Sequence, residues 1–162
     1  MRIKTIKCNK ANYNSRVKRK YTDIKGIVIH NTGLSNDTAI NEGNFFSKPC
    51  EDYPRSAHFF IDQDGIIVRS LYINRIGWSV GTPNQGVIYN NDNTVSIELC
   101  GISDKDISAK QFESLKWLIK KIKKRTGPVA LMRHYDINGK QCPLRYISPI
   151  KWETLKRRLE NE

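Results

Sequence analysis

Residues 24–30, IKGIVIH, form an apolar, β-branched run that ends in a histidine. A short run of this composition is typical of a buried strand. The residues that follow, Asn31, Thr32 and Gly33, favour the end of the strand at this point. His30 is therefore predicted to lie at the end of a buried strand, at the edge of a sheet where functional sites commonly form.

Four later segments also have the composition of strands; they are 57–62 (AHFFID), 66–71 (IIVRSL), 94–100 (TVSIELC) and 129–133 (VALMR). The first two flank Asp64-Gly65, which favours a β-hairpin because a tight turn needs residues that tolerate positive φ. In the third segment the side chains alternate, so Ser96 and Glu98 share its polar face. Residues 74–93 are rich in Gly and Asn and are predicted to form a long surface loop.

Three segments have helical patterns. Ser108 with Gln111 is typical of a capping box, and five apolar residues then fall on one helix face: Phe112, Leu115, Leu118, Ile119 and Ile122. Ser148-Pro149 favours the start of a last helix, with an inner stripe formed by Trp152, Leu155 and Leu159. A shorter helix is predicted from Asp37 or Thr38 to about Ser47, with Ile40 and Phe46 pointing inward.

Strands and helices alternate along the 162 residues, which is long enough for one hydrophobic core. The pattern predicts an α/β fold: a single domain with a central mixed β-sheet flanked by α-helices. Residues 1–22 are polar and basic and are predicted to be an N-terminal arm packed on the domain, which comprises residues 23–162. Apolar runs are far shorter than the ~20 residues of a membrane span, so no stable membrane insertion is expected.

The formal net charge is +12, which indicates an anionic partner. Basic residues cluster near the N-terminus, at 120–125 and at 151–158. The last two clusters are also explained as the solvated faces of helices. The sequence contains no aromatic-basic RNA motif and no zinc-finger spacing, which argues against a nucleic-acid partner.

Four cysteines, Cys8, Cys50, Cys100 and Cys142, occur without a Cys-x-x-Cys pair. They are too sparse for a disulfide scaffold, so reduced thiols are predicted, and whether Cys8 and Cys50 pair stays open.

His134 follows the apolar run ALMR, and Cys142 comes shortly after it. Imidazole and thiolate are preferred ligands of zinc, and two histidines with one cysteine leave a fourth position open, as a catalytic site requires. Spacing alone also allows these residues to be unrelated.

Four stretches occur in the order expected for a known family; they are IVIHNTG (27–33), SAHFFIDQDGIIVRSL (56–71), NTVSIELCG (93–101) and HYDINGKQCP (134–143). Together they resemble the type 2 family of zinc-dependent N-acetylmuramoyl-L-alanine amidases, which includes phage endolysins and peptidoglycan recognition proteins. The resemblance implies that residues 23–162 form a catalytic domain with a Zn²⁺ site at the sheet edge. It also implies hydrolysis of the amide bond between N-acetylmuramic acid and L-alanine in bacterial peptidoglycan.

Position by position, the resemblance implies that His30, His134 and Cys142 are the zinc ligands. It implies that Glu98 is the catalytic carboxylate and that Lys140 assists the tetrahedral intermediate. The chain departs from the family at two points. Ala57 stands where some members have a tyrosine with a proposed catalytic role, and Trp78-Ser79 stands where many have a Trp-His pair.

Three further residues are candidates for contact with substrate: His58, Trp78 and Asn31. His58 matches a family histidine that is not a metal ligand, and it is interpreted mainly as a packing residue that supports the site. Trp78 and the Asn-rich loop after it are expected to line a groove for glycan or peptide.

The resemblance implies peptidoglycan as the partner, and the positive charge suits anionic wall polymers such as teichoic acids. The sequence has no signal peptide pattern. We therefore expect synthesis in the cytoplasm and action on the cell wall after release through a membrane pore, as for a phage or prophage endolysin. The alternative is a non-catalytic peptidoglycan-recognition module on the same fold.

Overall fold

The computed structural model describes residues 1–161; Glu162, the last residue of the predicted catalytic domain, lies outside the described residues. The strands are β1 (Ile3–Thr5), β2 (Tyr13–Lys18), β3 (Gly26–Asn31), β4 (Phe59–Ile61), β5 (Ile67–Arg69), β6 (Arg75–Gly77), β7 (Thr94–Leu99) and β8 (Ala130–Arg133). The α-helices are α1 (Ala39–Phe46), α2 (Ala109–Thr126), α3 (Tyr135–Asn138) and α4 (Pro149–Glu160).

Six strands form the central sheet in the order β1-β5-β4-β7-β3-β8. Strands β4, β7, β3 and β8 are parallel, whereas β5 is antiparallel to β4. The turn of this β4-β5 hairpin contains Gly65 at φ +79°, and the Asp62 carboxylate accepts hydrogen bonds from the N–H groups of Asp64 and Ile66. The sheet is mixed and helices flank it, which confirms the predicted fold class.

One face of the sheet packs on α2 and α4 and forms the largest part of the core. Ile27 and Ile29 of β3 and Val95 of β7 lie on this face. The apolar stripes predicted for α2 and α4 are buried against it: Phe112, Leu115, Leu118, Ile119, Ile122, Trp152, Leu155 and Leu159. Full burial of one such side chain stabilises the fold by ~1.5–3 kcal/mol.

The opposite face of the sheet is covered by α1 and by the segment that contains Val80. Val28 packs there with Val80, and because strand side chains alternate, His30 points to the same side. Ser96 and Glu98 of β7 follow the same rule, as predicted. Polar groups can therefore gather on this face while the other face supplies most of the stability.

Helix α1 confirms the shorter predicted helix, with Thr38 as its N-cap through a 3.1 Å hydrogen bond from the Asn41 N–H. Phe46 is buried as predicted, but Ile40 is only half-buried. The helix turns its small residues inward instead. A Cβ on Gly43 would lie 2.9 Å from side-chain atoms of Ile6 and Val68, so the glycine permits a close approach to the sheet.

The prediction that 74–93 is entirely loop is wrong, because β6 lies within it and pairs antiparallel with β2. The two strands form a separate two-stranded sheet. Strand β2 has no fully buried side chain and therefore no apolar alternation that a sequence pattern could reveal. Within residues 1–161, every helix is too short or too polar to cross a membrane.

Candidate metal centre and its cleft

The candidate site forms where parallel strands end. His30 lies at the carboxyl end of β3 and is the register partner of Glu98 in β7. On the other side of β3, Arg133 of β8 pairs with Ile29, so His134 follows at the same end of the sheet. The carboxyl ends of parallel strands meet at one edge, which brings these three predicted site residues together.

Cys142 returns to this edge through α3. Gly139 ends the helix in the left-handed region at φ +78°, and the Tyr135 N–H donates a 2.9 Å hydrogen bond to the Cys142 carbonyl. The Arg133 guanidinium donates to Asp136 of α3 and to the carbonyl of Ile147, at 3.1 and 2.8 Å. The segment from His134 to Cys142 is therefore closed into a loop that is fastened at both ends.

His30, His134 and Cys142 are buried, and their potential ligand atoms lie within 4.8 Å of one another. The Nδ1 atoms of the two histidines are 3.1 Å apart. Two nitrogens bound tetrahedrally to one zinc ion at ~2.0 Å lie roughly 3.3 Å apart, so the pair has a suitable separation. The structure brings together all three residues that the sequence predicted to be ligands.

The ionisation of these groups also suits a cation. Burial raises the pKa of the Cys142 thiol to about 12, so a thiolate at neutral pH needs a positive charge nearby. Burial, with a smaller contribution from Lys140, lowers the pKa of His134 to about 4. A neutral imidazole is the form that binds a metal. The donor set therefore fits a divalent metal ion.

Backbone groups orient two of the three donors. Nε2 of His134 lies 3.2 Å from the Val80 carbonyl, and a hydrogen bond from Nε2–H leaves Nδ1 free for a metal. The Cys142 sulfur accepts the Asn31 N–H at 3.4 Å. Sequence reasoning did not find Val80, because any residue type can supply a backbone carbonyl.

Glu98 and Lys140 stand beside the candidate ligands. Oε1 of Glu98 is 3.9 Å from Nδ1 of His30. Burial raises the pKa of Glu98 to about 7, although the charge of Lys140 acts to lower it. A carboxyl group with a pKa near neutrality can both accept and return a proton at physiological pH.

The site lies in an open cleft with a volume of about 600 Å³, which is the size of a typical small-molecule site. Trp78 and Asn31 line this cleft together with Lys140. The Asn31 amide is engaged within the protein: Nδ2 donates to the carbonyls of Ile102 and Ser103 at 3.1 and 3.2 Å. Asn31 therefore shapes the cleft wall and offers no free amide N–H to a ligand.

His58 lies behind the cleft wall and is 1% exposed. Its Nδ1 accepts the Ser96 N–H at 3.1 Å, and its Nε2 lies 3.0 Å from the Arg75 carbonyl. Because both ring nitrogens are engaged, the structure does not bring His58 to the cleft as a substrate contact. That His58 supports the site as a packing residue stays a prediction.

A model of the family described as N-acetylmuramoyl-L-alanine amidase matches residues 20–145. The chain is 29% identical to the N-acetylmuramoyl-L-alanine amidase CwlL of Bacillus licheniformis, over 86% of this chain and 41% of that protein. It is 31% identical to CwlA of Bacillus subtilis (strain 168), an N-acetylmuramoyl-L-alanine amidase, over 84% of this chain and 49% of that protein. The chain therefore spans less than half the length of these curated relatives.

Solved structures share the fold over nearly the whole chain. A mutant endolysin from Bacillus subtilis superimposes with a TM-score of 0.75 at 24% identity, covering 98% of this chain and 99% of the other. The structure of PlyL gives a TM-score of 0.78 at 20% identity, covering 99% and 98%.

Proposed function

This chain belongs to the N-acetylmuramoyl-L-alanine amidase family, whose model matches residues 20–145, and we propose that it hydrolyses the amide bond between N-acetylmuramic acid and L-alanine in bacterial peptidoglycan. The observation that supports this most strongly is the convergence of His30, His134 and Cys142 on one point beside Glu98. We infer that the resident metal is Zn²⁺, because two imidazoles and a thiolate with an open position form a zinc hydrolase donor set.

The proposed roles follow from the positions of the side chains. His30, His134 and Cys142 would hold the metal. When bound, the metal would act as a Lewis acid and lower the pKa of an attacking water toward ~7. Glu98 would accept a proton from the attacking water as its oxygen adds to the carbonyl carbon, and would return that proton to the L-alanine nitrogen as the C–N bond breaks. Its pKa of about 7 suits both transfers.

Lys140 provides positive charge on the open side of the cleft. Its charge lowers the pKa values of both Glu98 and His134, so its electrostatic field extends to the reacting position. We infer that it stabilises the oxyanion that develops on the scissile carbonyl. Trp78, on the cleft wall, offers an apolar ring on which a sugar or peptide can pack.

We also propose that anionic wall polymers hold the protein on its substrate through a basic face of α2. This face comprises Lys120, Lys121, Lys124 and Arg125, which are exposed and recur one helical turn apart. Within residues 1–161, none of these four cations pairs with a carboxylate. Their charge is therefore available to phosphate groups of a polymer such as teichoic acid.

The reaction is tested with purified peptidoglycan and protein of measured zinc content. The expected result is one equivalent of zinc and the release of new N-terminal amino groups on L-alanine. Zinc-loaded protein that binds peptidoglycan but releases no such amino groups would instead identify a recognition module. Protein without affinity for zinc would contradict the metal assignment.

A further inference from the structure

A chain of hydrogen bonds leads from His134, a proposed metal ligand, to Asn91, which is far from it in sequence. The Val80 carbonyl that faces His134 Nε2 also accepts Nδ2 of Asn138 at 2.7 Å. The two peptide groups that precede this carbonyl are held as well: the N–H groups of Ser79 and Val80 both donate to Oδ1 of Asn91, at 2.9 and 3.1 Å.

Asn91 is in turn held by a buried guanidinium. Nη1 of Arg19 donates to the carbonyls of Asn91 and Asp92 at 3.1 and 2.9 Å, and Nη2 donates to the Thr94 carbonyl at 2.7 Å. Nε of the same side chain donates to the Ile73 carbonyl at 2.9 Å. Arg19 is 7% exposed, and its planar fork ties the start of the 74–93 segment to its end.

From these contacts we propose that Asn91, braced by Arg19, is a positioning residue that fixes the Val80 carbonyl and thereby the imidazole of His134. This inference rests on the proposed zinc site. Partners of a ligating histidine fix its tautomer and ring orientation, and their removal typically lowers metal affinity or activity by ~10- to 100-fold. Asn91 borders the cleft, but among residues 1–161 its Oδ1 accepts from the Ser79 and Val80 N–H groups and not from the proposed ligands, so it acts on the metal site through the backbone of Val80.

The prediction is specific to the acceptor atom of residue 91. Asn91→Ala removes the oxygen that binds both amides, whereas Asn91→Asp keeps an oxygen in that place. We expect Asn91→Ala to weaken zinc binding by ~10- to 100-fold and Asn91→Asp to remain close to the wild type. Zinc affinity is measured by competition with a chromogenic chelator.

Asn93→Ala is the matched control within the same loop. Asn93 braces the loop through the Asn90 N–H and the Ile88 carbonyl, both at 2.9 Å, but it does not contact residues 79 and 80. We expect it to leave zinc affinity unchanged. An equal loss of zinc affinity in Asn93→Ala and Asn91→Ala would show that the effect comes from general loop stability, and it would overturn the proposal. Normal zinc affinity in folded Asn91→Ala would also overturn it.

Arg19→Lys provides a second route if Asn91→Ala does not fold. Lysine keeps the charge, but its ammonium group has three N–H donors and cannot bind four carbonyls at once. We therefore expect weaker zinc binding and an altered visible spectrum of the Co²⁺-substituted protein. Unchanged zinc affinity and an unchanged Co²⁺ spectrum in Arg19→Lys would count against the proposal. If the wild-type protein itself binds no zinc, the proposed function fails, whereas failure of the positioning role leaves the wild-type zinc content intact.

Discussion

Glu98 lies 3.9 Å from His30, measured from Oε1 to Nδ1, because the two residues are register partners in adjacent parallel strands. The hydrogen-bond ladder of β3 and β7, rather than a loop, therefore sets the distance between the carboxylate and the candidate ligands. The other oxygen, Oε2, is buried and has no hydrogen-bond partner among residues 1–161. This geometry leaves a carboxylate oxygen available for the proton of an attacking water.

Glu98→Gln should separate proton transfer from metal binding. The amide keeps the size of the side chain but cannot accept and return a proton, so we expect turnover to fall by ~100- to 10,000-fold. Zinc content should stay at the wild-type level, because Glu98 is not in the ligand set. Metal analysis and an assay for new alanine amino groups provide the two measurements.

The control for Glu98→Gln is Glu113→Gln, which removes the same charge from the exposed surface of α2. It should leave both zinc content and turnover unchanged. Near-normal turnover in Glu98→Gln would show that another group moves the proton.

Cys142→Ser should lose zinc and activity together. A serine hydroxyl is a poorer ligand than a thiolate, and the two histidines alone do not complete the donor set. Cys50→Ser is the matched control, since it replaces another free thiol outside the ligand set. Full zinc occupancy in Cys142→Ser, measured by elemental analysis, would exclude the cysteine as a ligand.

Lys140→Met should lower turnover while zinc remains bound. Loss of one group that stabilises a developing oxyanion typically costs ~100- to 1,000-fold in rate. The loss should appear in kcat rather than KM, because the charge acts on the transition state. The control is Lys105→Met, at another exposed lysine outside the cleft, which should have the turnover of the wild type. Wild-type turnover in Lys140→Met would show that Lys140 has no role in the reaction.

Much of the fold follows from local patterns in the sequence. The hairpin at Asp64-Gly65, the cap of α2 at Ser108 and the proline that begins α4 each determine structure within a few residues. The alternation in β7 also indicated correctly that Glu98 and the apolar core lie on opposite faces. These features could be predicted because the cause and the effect are close in sequence.

Features that depend on backbone groups or on distant segments could not be predicted in this way. The Val80 carbonyl faces His134 across the fold, and Arg19 donates to the carbonyls of residues 73, 91, 92 and 94. A basic residue in a basic arm gives no sign that it is buried. Spacing left the convergence of His30 with Cys142 open and the family resemblance implied it, because the pairing of β3 with β8 and the return of the chain through α3 bring the two residues together.

His58 should make the stability of the fold depend on pH. Burial, together with the nearby charge of Arg19, lowers the pKa of His58 to about 3, against ~6.5 in the unfolded chain. The unfolded state therefore binds the proton first, and stability falls as pH decreases from ~6.5 toward 3. Protonation would also place an Nδ1–H against the Ser96 N–H that Nδ1 accepts.

The contribution of His58 is isolated by comparing two zinc-free proteins, Cys142→Ser and Cys142→Ser with His58→Gln, in urea unfolding at pH 7 and 4.5. The other histidines titrate in both and cancel in the difference. Between pH 7 and pH 4.5, we expect the free energy of unfolding to fall by about 2–3 kcal/mol more in the protein that retains His58 than in the His58→Gln protein. Equal losses would mean that His58 is not held neutral.

The basic face of α2 should determine how firmly the protein is held on intact walls. Replacing Lys120, Lys121, Lys124 and Arg125 with Gln removes four positive charges that have no carboxylate partner within residues 1–161. We expect weaker retention on intact walls and a smaller dependence of retention on salt. In the wild type, retention should fall as salt approaches 0.5 M, where the Debye length is only ~4 Å. Sedimentation of walls with bound protein measures both effects.

If only the net charge mattered, removing any four cations would weaken retention on intact walls equally. The position of the cations on α2 therefore has to be tested separately. Changing Lys10, Lys48, Lys105 and Lys151 to Gln removes equal charge from exposed sites outside α2. If the α2 face binds the polymer, this control should retain most of the wild-type binding. Walls stripped of phosphate polymers by hydrofluoric acid should bind all three proteins equally, because the phosphates that the face recognises are gone. Equal retention of both variants on intact walls would place the interaction in the overall charge rather than in this helix.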